Sequence, residues 1–97
     1  MANVYYTQKA VEDLSSIWNY TLEQWSEMQA DHYYEELVAT CELLAKRPKL
    51  DQSANAIRIN LLSYHVGRHF VFFQRISKTE IEIVRILHDS MDFQIHL

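Results

Sequence analysis

The hydrophobic period of this chain changes once, close to its only proline, Pro48. Before Pro48, apolar residues recur at helical spacing. Ala10, Leu14, Ile17, Trp18, Thr21 and Trp25 fall on one helical face. Thr7 is the expected N-cap of that helix. Ser26 with Gln29 three residues later forms a capping box, so a second helix starts there. Its expected buried face is Ala30, Tyr33, Tyr34, Leu37, Cys41, Leu44 and Ala45. Pro48 ends it, because proline lacks the N–H that continues a helix and restrains the residue before it. So short a junction predicts an antiparallel helical hairpin.

After Pro48 the pattern becomes alternating. "AIRINL" (56–61) alternates apolar with polar, "SYHVG" meets "RHFVFFQRI" at the single glycine, and "EIEIVRIL" follows the turn-like "SKTE". Residues 2–6, "ANVYY", read as a further strand. The predicted class is α+β: an N-terminal strand, an antiparallel helical hairpin, then a three-strand antiparallel meander. All strands join one mainly antiparallel sheet, with the hairpin on one face and the N-terminal strand at an edge. At 97 residues the chain reads as one domain, 1–97.

Charge and composition exclude several functions. The formal net charge is −4, whereas a dedicated nucleic-acid binder is basic. No sequence-specific nucleic-acid binding is therefore expected. Residues 51–97 are neutral overall, and their cations are nearly all arginine: Arg58, Arg68, Arg75 and Arg85. One glycine rules out a glycine-rich phosphate loop. Cys41 is the only cysteine, so no internal disulfide can form and a reducing compartment fits. No apolar stretch approaches the roughly 20 residues that span a membrane, and the N-terminus has no signal-peptide pattern. A cytoplasmic protein without membrane contact is the expectation.

Candidate chemistry is sparse. "RILHDSMDF" (85–93) places His88, Asp89 and Ser90 together, but a nucleophilic triad is set by geometry and not by adjacency. His65 and His69 flank the Gly67 turn, and no Cys or carboxylate cluster completes a metal site. No metal, cofactor or catalytic residue is expected. Met91, Ile95 and Leu97 are expected to pack below the last strand.

Taken together in order, the motifs resemble a ParE-type toxin of the RelE/ParE superfamily, from bacterial toxin–antitoxin pairs. The matching residues are Ala10, Asp13, Leu14, Ile17, Trp18, Tyr20, Thr21 and Trp25. The match continues through Gln29, Ala30, Tyr33, Leu37, Leu44, Ala45, Pro48 and Leu50. Beyond these come Ile57, Arg58, "VGRH" at 66–69, Val71, Phe72 and Arg75. "EIVRILH" at 82–88, Met91, Asp92, His96 and Leu97 complete it. The chain departs from the family in having Ser26, Asp51 and Asn60 where glycine is usual, and Gln52 and Leu62 where arginine is common. Asn and Asp are the residues that best replace glycine in a left-handed turn.

The resemblance implies a non-enzymatic toxin that poisons DNA gyrase or a related type II topoisomerase. Such toxins stabilise its complex with cleaved DNA and block replication. The resemblance also implies a cognate ParD-like antitoxin that wraps the toxin in a hetero-oligomer. Candidate target-binding residues are Arg58, Arg68, Arg85, His88, Ser90 and Asp92. Candidate antitoxin-binding residues are Tyr5, Tyr6, Tyr20, Trp25, Tyr33 and Tyr34, with Tyr5, Tyr6 and Trp25 expected near a groove between hairpin and sheet edge.

Two alternatives follow from the same superfamily: a ribosome-dependent mRNA interferase, and an inactive toxin that retains antitoxin binding. RNA cleavage needs a base, phosphate-holding cations and a proton donor. Asp89 stands where the nuclease branch places Arg, and Phe93 where it places Tyr. Residues 55–76 contain no Lys. The sequence therefore points away from ribonuclease activity.

Overall fold

The structure, a computed structural model, describes residues 2–97. Strand β1 (Asn3–Tyr6) leads into helices α1 (Gln8–Gln24) and α2 (Glu27–Lys46). A 3-10 turn (Pro48–Leu50) and a two-residue strand β2 (Gln52–Ser53) follow. Strands β3 (Leu62–Val66), β4 (His69–Ser77) and β5 (Glu80–His88) form the meander, and a short helix α3 (Phe93–His96) closes the chain. One sheet has the order β1-β5-β4-β3-β2. Among the described residues, only the β1–β5 pairing is parallel. The α+β class, the hairpin, the meander and the edge position of β1 agree with the sequence reading.

The caps explain where the helices begin. The Thr7 hydroxyl accepts from the Ala10 amide at 3.1 Å, and the Ser26 hydroxyl from the Gln29 amide at 3.1 Å. Both helices lie on one face of the sheet. Ala10, Leu14, Leu37, Cys41, Leu44 and Ala45 interlock there with Val66, Val71, Phe73, Ile81, Ile83 and Ile86. A second cluster covers the opposite face: Ala54, Leu61, Phe72 and Leu87, joined by Ile57, Phe70, Val84, Phe93 and Leu97. Each fully buried aliphatic or aromatic side chain contributes about 1.5–3 kcal/mol.

Several expectations need correction. "AIRINL" is not a strand, because residues 55–60 form turns. The Ala54 and Leu61 backbones close the loop at 2.8 Å, and the Asn55 side chain accepts from the Asn60 amide at 2.8 Å. Asn60 takes a positive φ of 63°, which a strand does not contain. The alternation that looked like a strand therefore splits. Leu61 is fully buried, while Ile59 is 77% exposed.

Of the residues standing at family glycines, only Asn60 uses left-handed backbone. Asp51 is extended, and its carboxylate binds Arg75. Trp25 is not on the core face: α1 ends at Gln24, and Trp25 is 72% exposed in the turn. Tyr34 is also largely outside the core. Met91 and Ile95 are exposed, because the single turn of α3 points Phe93 and Leu97 at the sheet and Ile95 away from it.

Two arginine–aspartate pairs fasten the layers. Arg75 is bound by both Asp51 oxygens, at 2.6 and 2.9 Å, and donates to the carbonyls of Leu44 and Ala45 at the end of α2. It thereby satisfies orphan carbonyls and opposes the negative end of the helix dipole. Asp51→Ala leaves this poorly exposed cation without its counter-charge. The expected loss is about 2–4 kcal/mol of unfolding free energy in urea denaturation.

Candidate functional site

The second pair defines the end of the molecule where the candidate residues gather. β1 stops opposite Ile83, but β5 runs on to His88. A bulge sits at the boundary: Phe72 faces Arg85 and Phe73 faces Ile83, so Val84 is the extra residue. Beyond β1 the outer edge of β5 would lack partners. The start of α1 supplies them. The Thr7 hydroxyl donates to the Val84 carbonyl at 2.8 Å, and the Ile86 amide donates to Asp13 Oδ2 at 2.9 Å. Asp13 also binds Arg85 through both oxygens, at 2.8 and 2.9 Å. The remaining Arg85 nitrogen donates to the His96 carbonyl at 2.8 Å. These Asp13 hydrogen bonds raise the Arg85 pKa and keep the guanidinium charged.

Arg68, His88, Ser90 and Asp92 lie at this end, the Asp89 amide donating to the Arg68 carbonyl at 2.9 Å. Arg68 is exposed in the two-residue turn that follows Val66. Gly67 there has φ +57°, which the first position of a type II′ hairpin requires. Asp92 caps α3 by accepting from the Gln94 amide at 3.1 Å. Arg58 is not part of the group. It precedes β3 while Arg68 follows it, so about 16 Å of strand lies between them. Arg85 is already held by Asp13 and His96.

The chemistry of this end is poor for hydrolysis. Ser90 Oγ lies 2.7 Å from His88 Nδ1, and the Ser90 amide donates to the same nitrogen at 3.1 Å. Asp89 approaches that nitrogen too, at 3.4 Å. A triad needs acid and nucleophile on opposite ring nitrogens. Here both meet Nδ1, so the cluster is a capped turn. Among the described residues, no group of three or more His, Cys, Asp or Glu could hold a metal ion.

A half-buried contact beneath the turn was not legible in the sequence. The Tyr33 hydroxyl lies 2.7 Å from His69 Nδ1 and accepts from the Arg68 amide at 3.2 Å. A Cβ at Gly67 would fall 2.7 Å from that hydroxyl, so with Tyr33 in place a side chain at residue 67 would collide with it. Tyr33 thus locks the β3–β4 turn to α2. His69 also meets His88 edge to face at 5.3 Å. No spacing rule links residue 33 to residue 69, since the contact is created by folding.

The aromatic candidates separate into different places. Tyr6 lines a groove of about 400 Å³ between β1 and α2, with Ala2, Val4, Val38, Glu42 and Lys46. Tyr34 lies four residues before Val38 on α2, on the stripe that borders this groove. Tyr5 points to the other side of β1 and donates to Glu80 at 3.3 Å. Tyr20 and Trp25 are exposed on the hairpin away from the groove lining. Burial pushes the Tyr6 phenol up and the Cys41 thiol up to about 11, so both are protonated and inert. A second hollow, lined by Ser53, Asn55, Asn60, Leu61, Leu62, Gln74 and Arg75, holds no carboxylate or imidazole.

The fold is that of a solved chain titled "Chromosomal ParDE TA system from P. aeruginosa". The TM-score is 0.74 at 19% identity, over 91% of this chain and 96% of that one. It defines the class as the helical-hairpin-on-sheet fold described above. A family model described as "ParE toxin of type II toxin-antitoxin system, parDE" matches residues 4–93. Toxin ParE1 of Caulobacter vibrioides is 36% identical over 91 residues, covering 94% of this chain and 93% of that protein. Toxin ParE1 of Mycobacterium tuberculosis is 30% identical over 79 residues, 81% of each. The chain belongs to the ParE toxin family of type II toxin–antitoxin systems. No helix among the described residues is long and apolar enough to cross a membrane.

The half-buried imidazole of His69 predicts a pH dependence. Burial first, then the neighbouring His88, lowers the His69 pKa from 6.5 to about 4, against the opposing pull of Asp89 and Asp13. The unfolded ring takes up a proton near pH 6.5 and the folded ring only near pH 4. Stability from this group is therefore complete above pH 6.5 and declines as pH falls towards 4. Urea denaturation at pH 7 and pH 4.5 should show wild type losing about 1 kcal/mol more than His69→Gln, the solvent around the partly exposed ring reducing the full linkage value.

Proposed function

We propose that this toxin acts by binding, holding DNA gyrase or a related type II topoisomerase in its cleaved-DNA state. A ParD-like antitoxin neutralises it in a toxin–antitoxin hetero-oligomer. The observation that carries the reading is the face of the sheet opposite the helices. A phosphodiesterase of this fold needs cations and proton-transfer groups on an open sheet surface. Here Phe93 packs edge-on against Phe70 at 5.3 Å and Phe72 at 5.0 Å, and Leu97 joins the same cluster. Asp89, at the position where the resemblance places an arginine in the nuclease branch, turns its carboxylate to His65 and His88 at 3.4 Å. That arrangement repels a phosphate.

The target-facing part is the end that carries Arg68, His88, Ser90 and Asp92, with the tail that follows. The antitoxin takes the groove between β1 and α2, where Val4, Tyr6 and Val38 offer apolar surface beside the Glu42 and Lys46 charges. Aromatic side chains anchor interfaces when water is excluded from them. Tyr20 and Trp25 are exposed elsewhere on the hairpin, apart from this groove, and Tyr33 holds the turn from below.

The test uses purified toxin, gyrase, ATP and supercoiled plasmid. Linear plasmid accumulating with toxin concentration after detergent and protease treatment is the expected result, and preincubated antitoxin prevents it. Unchanged supercoiling and no linear product at micromolar toxin would refute the target. Cut mRNA in a translation extract would support the interferase instead.

A further inference from the structure

We propose that Asp13 is a positioning residue for the C-terminal tail, acting through Arg85 to fix residues 93–97 in the pose that meets the target. The inference rests on the target-facing reading above. Two attachments hold the tail. One is apolar: Phe93 and Leu97 pack into the cluster with Phe70, Phe72 and Leu87. The other is polar: Arg85 reaches the His96 carbonyl at 2.8 Å.

The apolar attachment fixes where the tail lies but constrains its rotation weakly, because dispersion contacts have little directionality. The polar one fixes its orientation. A guanidinium carries its donors in a rigid planar fork. Asp13 takes two of those donors side by side, which sets the plane of the fork and leaves the third nitrogen aimed at residue 96. Asp13 is itself anchored, since its Oδ2 accepts the Ile86 amide at 2.9 Å. The chain of contacts thus runs from α1 through β5 to the last turn, and leaves Gln94 and Ile95 facing outward. Arg85, expected from sequence to touch the target, becomes the hinge pin of the segment that does so.

Arg85→Lys keeps the charge but cannot bind both Asp13 oxygens and His96 at once. Asp13→Asn keeps an acceptor for the Ile86 amide and weakens the pair. Amide exchange reads the tail without any target, at Ile95 and Leu97, whose N–H groups bond to Asp92 and Phe93 carbonyls. In both variants those two amides are expected to exchange about tenfold faster, with the Val71 and Phe73 amides unchanged. The toxin concentration for half-maximal loss of gyrase supercoiling is expected to rise about tenfold, with antitoxin affinity intact. In chains ending at Asp92, Arg85→Lys is expected to cause no further loss, the non-additivity that marks action through the tail.

Unaltered tail exchange in both variants overturns the proposal alone. An equal loss of potency in full-length and shortened chains also overturns it, because Arg85 would then touch the target or act on stability. Full potency in the chain ending at Asp92 overturns the target-facing reading, and this proposal with it.

Discussion

The far end of β5 is held by one carboxylate at an unfinished sheet edge. β1 is four residues long and β5 is nine, so β5 outruns its parallel neighbour. The Val84 carbonyl and the Ile86 amide would be left without partners near the core, at about 1–3 kcal/mol each. Thr7 and Asp13 take them, so the first two turns of α1 do the work of the missing strand. Because Asp13 also holds Arg85, the same contact ties helix to sheet and sheet to tail. The helical hairpin cannot shift on the sheet without disturbing all three.

That arrangement separates two surfaces. One lies at the β1 edge, where the groove against α2 combines apolar Ala2, Val4, Tyr6 and Val38 with Glu42 and Lys46. The other lies at the far end of β5, where turn, tail and the Tyr33–His69 contact meet. The sheet face that a nuclease of similar fold would keep open is filled by Phe70, Phe72 and Phe93.

Much of the fold was legible because its signals are local. Thr7 and Ser26 announce helix starts within three residues, Pro48 ends a helix by its own covalent geometry, and Gly67 marks a turn only it can make. The errors arose where a local pattern met a non-local constraint. "AIRINL" alternates like a strand, yet Asn55 and Asn60 bond across it and fold it into turns. Trp25 keeps helical spacing but falls just past the helix end. Met91 and Ile95 are apolar, but the rotation of one short helical turn gives the buried places to Phe93 and Leu97. The candidate site was less legible than the fold. Arg85 and Asp13 are 72 residues apart, and only their meeting in space turns an arginine from a candidate contact into a support.

The central functional claim is that this toxin stops cells by binding an enzyme of DNA topology rather than by cutting message. Pulse labelling after induction without antitoxin tests it most directly, by following thymidine and methionine incorporation in the same culture. Thymidine incorporation falling first, while methionine incorporation continues and mRNA stays intact, is the expected result. Methionine incorporation collapsing first, with cleaved mRNA, would contradict it.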